Sequence, residues 1–243
     1  MKRFWNAAEI GPADEAGEAA HTILLDGKPM RLPGGEVLRV ASEPLASAIA
    51  GEWQAAGGDP GGEFDVDDTP LTRLAGTAQH RIAADPAPTI DALAGYAETD
   101  LLCYRATNPA ALVQRQARDW QPWLDWAALT YDAPLKVTSG IAHVAQDPSS
   151  LRALRAAVAA FDPVVLAGLG VLVPALGSLV LGLAVAEGGL DPARAHELAA
   201  LDEIFQTELW GRDAEAERRL AAIAADIALS ARFIALARAG VPE

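Results

Sequence analysis

Four histidines, one cysteine and a short run of aspartates are the residues of this chain whose types could carry out chemistry, and their spacing argues against it. His21, His80, His143 and His196 are isolated: none stands at metal-ligand spacing from another histidine or a cysteine, and no His-Glu-x-x-His occurs. His196-Glu197 reads as helical surface. Cys103 lies in the apolar run Asp100-Leu101-Leu102-Cys103-Tyr104-Arg105 and reads as a packed thiol, not a nucleophile. A single cysteine also excludes an internal disulfide and a multi-cysteine zinc cage. Asp65, Asp67 and Asp68 lack the glycine and glutamate of a calcium loop and read as a solvated acidic loop. Gly168-Leu169-Gly170 lacks the third glycine and the downstream acid of a dinucleotide site, and no Gly-Lys-Ser/Thr cradle for ATP exists. No catalytic residue, cofactor or metal is expected. Two rival classes stay open: a small-molecule-processing enzyme with an unrecognised site, for which a cleft lined by His80 or His143 near a carboxylate would argue, and a membrane-associated helical protein.

What stands out instead is a set of large amphipathic side chains. Trp120, Trp123 and Trp126 recur every third residue and fan around part of one helix. In the helix opened by Asp191-Pro192, Leu198, Leu201, Phe205 and Leu209 should face inward, while Glu203, Gln206 and Trp210 fall on a neighbouring stripe. A tryptophan beside a glutamate and a glutamine is the composition of a protein interface. On residues alone, the opposite reading stands equally: Trp210 caps a bundle against the last helix, and the polar pair is merely solvated.

The elements that must position these residues follow from composition and period. The chain has 243 residues and a formal charge of −14, with 51% apolar and 21% charged residues, a globular composition. A chain of this size buries roughly 70% of its surface. Its acidity argues against nucleic acid or an anionic membrane as the main partner. His21–Leu25, Met30–Leu32 and Val37–Val40 read as strands of a small antiparallel meander, joined by Asp26-Gly27 and Pro33-Gly34-Gly35. Ser42 caps a covering helix whose apolar stripe is Leu45, Ile49 and Trp53. Gly11 to Gly17 and Gly57 to Gly62 read as loops. Helices then open at Thr69-Pro70, Asn108-Pro109, Asp147-Pro148, Asp191-Pro192 and Asp213, with a bend expected at Pro122 and a short strand or extended link at Lys136-Val137-Thr138. The last helix carries Leu220, Ile223, Ile227, Ser230 and Ile234 at core spacing and ends before Gly240. Val164–Ala186 holds 23 residues without a charge, long enough to span a bilayer, but lacks flanking Lys or Arg and an aromatic belt; a buried central helix is the preferred reading. The expected fold is α+β: a small N-terminal domain of antiparallel sheet plus helix over 1–80, then a larger all-helical domain over 81–243.

A set of motifs, weak singly, resembles one family when taken in order. They are Lys2-Arg3-Phe4-Trp5; Leu25-Asp26-Gly27-Lys28 with Leu32; Ala41-Ser42-Glu43-Pro44-Leu45 leading to Ala50-Gly51-Glu52-Trp53; Thr69-Pro70-Leu71-Thr72; Thr99-Asp100-Leu101-Leu102-Cys103-Tyr104-Arg105; Trp120-Gln121-Pro122 with Trp126; and Leu201-Asp202-Glu203-Ile204-Phe205-Gln206 ending at Trp210-Gly211. They resemble the ATP synthase assembly factor 2 family, chaperones of the alpha subunit of the F-type ATP synthase catalytic head. The resemblance implies the same two-part fold, no catalysis and no cofactor. It implies a chaperone that holds the unassembled alpha subunit, prevents its aggregation and releases it to the beta subunit. Glu203 with Asp202 is the first implied partner contact, with Gln206 and Trp210 beside it. Trp53 is a second choice, although its place on an apolar stripe favours packing. Met1-Lys2-Arg3-Phe4-Trp5 carries no secretory signal or presequence, so a bacterial, cytoplasmic monomer is expected, with eukaryotic family members in the mitochondrial matrix. No membrane insertion is expected.

Overall fold

The structure is a computed structural model describing residues 1–13, 20–140, 142–211 and 213–239. The far end of the Gly11–Gly17 run and Gly240 lie outside the described residues. Two compact units form: Met1–Pro86 with Pro163–Gly168 and the segment from Arg232, and Ala87–Asp162 with Leu169–Ala231.

In the first unit, β1 (Ala8–Pro12) pairs antiparallel with β2 (His21–Leu25), and β2 pairs with β3 (Lys28–Pro29). Asp26 and Gly27 both take positive φ, the backbone a tight two-residue hairpin turn requires. The Asp26 carboxylate accepts the main-chain N–H groups of Ala7 and Asn6, and these donors hold its pKa below the usual carboxylate range. The expected return strand at Met30–Leu32 is displaced: the ladder runs through Lys28–Pro29. Val37–Val40 is no full strand. It joins by the single bridges Arg31 to Val37 and His21 to Val40. β1 extends into the run from Gly11 that reads as loop in the sequence. Gly11 is there for packing, since a Cβ would lie 2.5 Å from the Leu24 side chain across the ladder.

Helix α1 (Glu43–Ala55) buries Leu45, Ala46, Ile49 and Ala50 and packs on β1 and β2. α2 (Pro70–Thr77) runs into a π-helical turn through Ile82. The rest of the unit comes from far along the chain, from the start of α6 (Pro163–Leu176) and the end of α10 (Ala214–Arg238). The Ser42 hydroxyl caps α1 by accepting Leu45 N–H, and donates toward the carbonyls of Leu236 and Ala239 at 2.5 and 2.9 Å. Gly168 lets α6 approach α10: a Cβ there would sit 2.5 Å from Ile234.

The second unit is helical apart from one parallel two-residue pair. It contains α3 (Ala87–Gly95), β4 (Tyr104–Arg105), α4 (Ala110–Tyr131), β5 (Thr138–Ser139) and α5 (Pro148–Ala159), with β4 against β5. α4 is one helical element that includes Pro122. The uncharged stretch 164–186 is not one helix. It divides into α6 and α7 (Leu179–Ala186) at Gly177, whose φ is +62°, and Ser178, which caps α7. Neither piece reaches bilayer length. Every residue of α7 is buried, and Gly182 admits Val173 of α6. The helix opened by Asp191 is likewise two: α8 (Pro192–Ala199) and α9 (Leu201–Trp210), interrupted at Ala200. Among the described residues one helix, α10, is long and apolar enough to cross a membrane, with mean hydropathy 1.8. Asp226 and Arg232 interrupt it, and Ile227, Ser230, Phe233 and Ile234 are buried within the chain.

Candidate functional site

Three places gather the motif residues. In the first unit, Trp5 is fully buried, packs at a tilt on Trp53 with ring centroids 5.0 Å apart and edge-on with Phe64 at 5.3 Å, and donates its indole N–H to the Trp53 carbonyl. Trp53 in turn donates to Thr72 Oγ1 at 2.9 Å. Glu52 accepts from the main-chain N–H groups of Leu71 and Thr72 and from the Thr72 hydroxyl, so its carboxylate serves the α2 N-terminus. Burial pushes Glu52 up in pKa against the pull of those donors. Arg3, 4% exposed, has carbonyl partners instead of a carboxylate: Trp5, Asn6, Gln54 and Gly58 among them. Three motifs distant in sequence are thus one aromatic cluster, and one edge of Trp53 faces an open cavity of about 620 Å³.

His80 lines that cavity, with Nδ1 3.4 Å from Glu36 Oε2, the histidine–carboxylate pair that would favour an enzyme. The threonine hydroxyls beside it are occupied: Thr72 by Trp53 and Glu52, Thr77 by the Arg73 carbonyl. His143 bonds to the Tyr104 hydroxyl. The acidic run is spent on structure, with Asp65 and Asp68 forming a capping box and Asp67 pairing with Arg73. Among the described residues no cluster of three metal-ligating side chains occurs.

The second place is a buried polar latch in the second unit. Asp100, wholly buried, accepts from Leu102 N–H and the Ser178 hydroxyl on one oxygen and from Val180 N–H on the other, tying the loop before β4 to the start of α7. Burial, only partly offset by these donors, raises its pKa to about 6. The same burial, helped by the Asp100 charge, pushes the Cys103 thiol up to about 12, so Cys103 is inert. Arg105 donates to the carbonyls of Leu102 and Gln116 and lies over the Trp120 ring. Gln116 then accepts from Ala106 N–H and donates to Asp202 Oδ1 at 2.7 Å.

The third place is a concavity of about 400 Å³ between α9 and α10, lined by Glu203, Gln206, Trp210 and Arg219. Glu203 and Gln206 follow 3-4 spacing with Trp210, so one helix face presents all three. Trp210 is 78% exposed, and Arg219 reaches Glu203 at 2.6 Å. Of the inward stripe expected on α9, Leu198, Leu201 and Phe205 are buried, but Leu209 is 57% exposed. The stripe persists across the break at Ala200 and ends at Phe205, the last buried position of α9. The structure therefore brings Glu203, Gln206 and Trp210 together. It directs Asp202 to Gln116 on α4 and places Trp53 in the other unit.

Exposed aromatic and acidic side chains in a concavity, with His80, His143, Thr72 and Thr77 engaged by neighbours, have the composition of a protein-binding surface. Residues 2–128 match the family described as ATP12 chaperone protein. Two solved structures of Atp12 from Paracoccus denitrificans, one of them its D202K mutant, are 44% identical over 98% of both chains, with TM-scores of 0.89 and 0.90. Atu1473 of Agrobacterium tumefaciens, a proposed chaperone, is 34% identical over 96% of this chain and 84% of that one, with TM-score 0.86. The chain belongs to the ATP12 chaperone family, an ATP synthase assembly chaperone and not an enzyme.

Proposed function

We propose that the chain binds the unassembled alpha subunit of the F-type ATP synthase catalytic head, keeps it from aggregating and releases it to the beta subunit, acting as a monomer in the bacterial cytoplasm. The observation that carries this reading is Trp210: a large aromatic ring 78% exposed at a helix end, flanked by Glu203 and Gln206 in one concavity. Interface anchors are drawn from tryptophan and arginine set among polar neighbours, and an indole left in water gains by being covered. Obligate subunit interfaces bury 2,000 Å² or more and are core-like, so the free subunit exposes a sticky face. A holder that must let go needs fewer anchors and a wetter rim, and the beta subunit displaces it by burying more area. The charge of −14 keeps the chaperone soluble and steers it toward a client with basic rim residues. Asp202 then positions α9 through Gln116, and Glu203, Gln206 and Trp210 make the contact.

The test is co-expression with the alpha subunit. The subunit stays in the soluble fraction with the chaperone and precipitates without it; equal precipitation in both would refute the proposal. Size-exclusion chromatography with light scattering reads the stoichiometry, expected to be one to one. Titration calorimetry with ATP is expected to give no isotherm, since displacement by beta needs no nucleotide.

A further inference from the structure

The N-terminal stretch of the first unit segregates charge against its own composition. Residues 1–86 hold 7 basic and 14 acidic side chains. Two adjoining cavities, about 620 and 530 Å³, share Met1, Met30, Arg31, Trp53 and Phe64 and so form one groove. Lys2, Lys28, Arg31, Arg73 and Arg81 line it, five of the seven bases, and none of the eleven acids among the described residues does. Among the described residues only Arg73 of the five has a carboxylate partner, Asp67; Arg31 donates to the Gly35 carbonyl. Among the described residues Lys2, Lys28 and Arg81 meet no carboxylate. The groove is apolar between them, and three large side chains at the N-terminus and its rim are left in water: Met1, Phe4 and Val66, at 65%, 77% and 56% exposure. A protein with net charge −14 has no solubility reason to collect unpaired cations around an apolar trough.

We infer that this groove is a docking site for an acidic amphipathic segment of a protein, its apolar side chains against Met30, Trp53, Phe64 and Val66 and its carboxylates on Arg31, Arg81 and the lysines. Trp53 is held in place for this by Thr72 and Trp5, so its ring edge is presented rigidly. Cations around an apolar trough select sign as well as hydrophobicity, because a basic segment would meet uncompensated repulsion there. Two linked cavities exceed what one small ligand fills and suit a run of side chains. The inference does not require the client to be the alpha subunit.

The experiment uses the full chain and a fluorescein-labelled 16-residue helical peptide with leucine at i, i+3, i+4 and i+7 and glutamate elsewhere, followed by anisotropy. Its partner probe replaces every glutamate by lysine. The acidic peptide is expected to bind in the micromolar range, at least tenfold more tightly than the lysine peptide, and to weaken several-fold as salt rises from 0.05 to 0.5 M. Arg31→Glu with Arg81→Glu, both exposed, is expected to cost tenfold or more while the thermal midpoint stays put; Val66→Asp serves as a second variant on the apolar wall. Equal binding of both peptides, no saturation at 1 mM, or indifference to both variants would overturn the inference. So would binding of anionic phosphatidylglycerol vesicles with no peptide binding, which would make the groove a lipid site.

Discussion

The groove of the first unit and the α9–α10 concavity of the second are both exposed and aromatic, yet they are built in opposite ways. The groove's aromatic wall is also core: Trp53 is locked by Thr72, Trp5 and Phe64, and its neighbour Glu52 serves the adjoining helix. Its rim is basic. The concavity is made of side chains that support little: Trp210 ends its helix in water, and the Glu203 carboxylate pairs with the exposed Arg219. Its face is mostly acidic and amidic. A surface borrowed from the core is rigid and costly to change, whereas one carried on a helix rim can be altered without touching the fold. Mutations in the first region therefore mix stability with binding, and mutations in the second separate them.

The largest effect is expected from Trp53→Arg. Losing a packed indole costs about 3–5 kcal/mol, and a guanidinium in its place has no acid to meet. At roughly 2–4 °C per kcal/mol for a chain of this length, the thermal midpoint should fall by about 6 °C or more. A midpoint equal to wild type would show that Trp53 does not belong to the core, and the contrast between the two regions would collapse.

Asp100→Asn comes next and probes the scaffold of the second unit. Both carboxylate oxygens accept, so an amide turns one acceptor into a donor facing another donor, costing about 1–3 kcal/mol at neutral pH. The pH dependence has a definite sign. With its folded pKa raised from 3.8 to about 6, the native state keeps this proton when the unfolded chain has released it. The contribution of Asp100 is complete below about pH 4 and is lost as pH rises through 6, so the variant should lack that falling slope. Urea unfolding at pH 4, 5, 6 and 7 reads this; an identical slope in both proteins would assign the titration to another group.

Trp210→Ala is expected to leave stability within about 0.5 kcal/mol and to weaken capture of the alpha subunit tenfold or more, as loss of a central anchor does. Undiminished pull-down would remove Trp210 from the interface. Glu203→Lys gives the smallest change: loss of an exposed pair worth about 0–1 kcal/mol, with capture reduced a few-fold in affinity through charge reversal. Capture equal to wild type would leave the α9 face without a role for its charge.

Much of the architecture was legible because capping and period are local. Asp147 and Asp191 do cap the helices they were expected to open, each accepting first-turn N–H groups, and the stripe Ile227, Ser230, Ile234 is buried. Misreadings fell where backbone breaks occur without a charge to mark them. Gly177-Ser178 divides the apolar stretch, because positive φ at one glycine and a local cap suffice to end a helix whose side chains would all permit it, and Ala200 divides the helix before Leu201 without either device. Leu209 keeps the inward spacing of Leu201 and Phe205 but lies one residue from the end of α9, where it is exposed.

Residue types alone determined that this chain holds no evident reaction centre, is acidic, and builds a small sheet followed by many capped helices, since those properties depend on composition and on neighbours a few positions apart. The spacing of Glu203, Gln206 and Trp210 on one face was likewise local. Tertiary structure alone decided that Asp202 turns away to Gln116, that Arg3 and Arg105 are satisfied by carbonyls, and that five distant basic side chains ring one apolar groove. Those are meetings between residues tens of positions apart, governed by which surfaces pack together, and no periodicity in a linear chain encodes them.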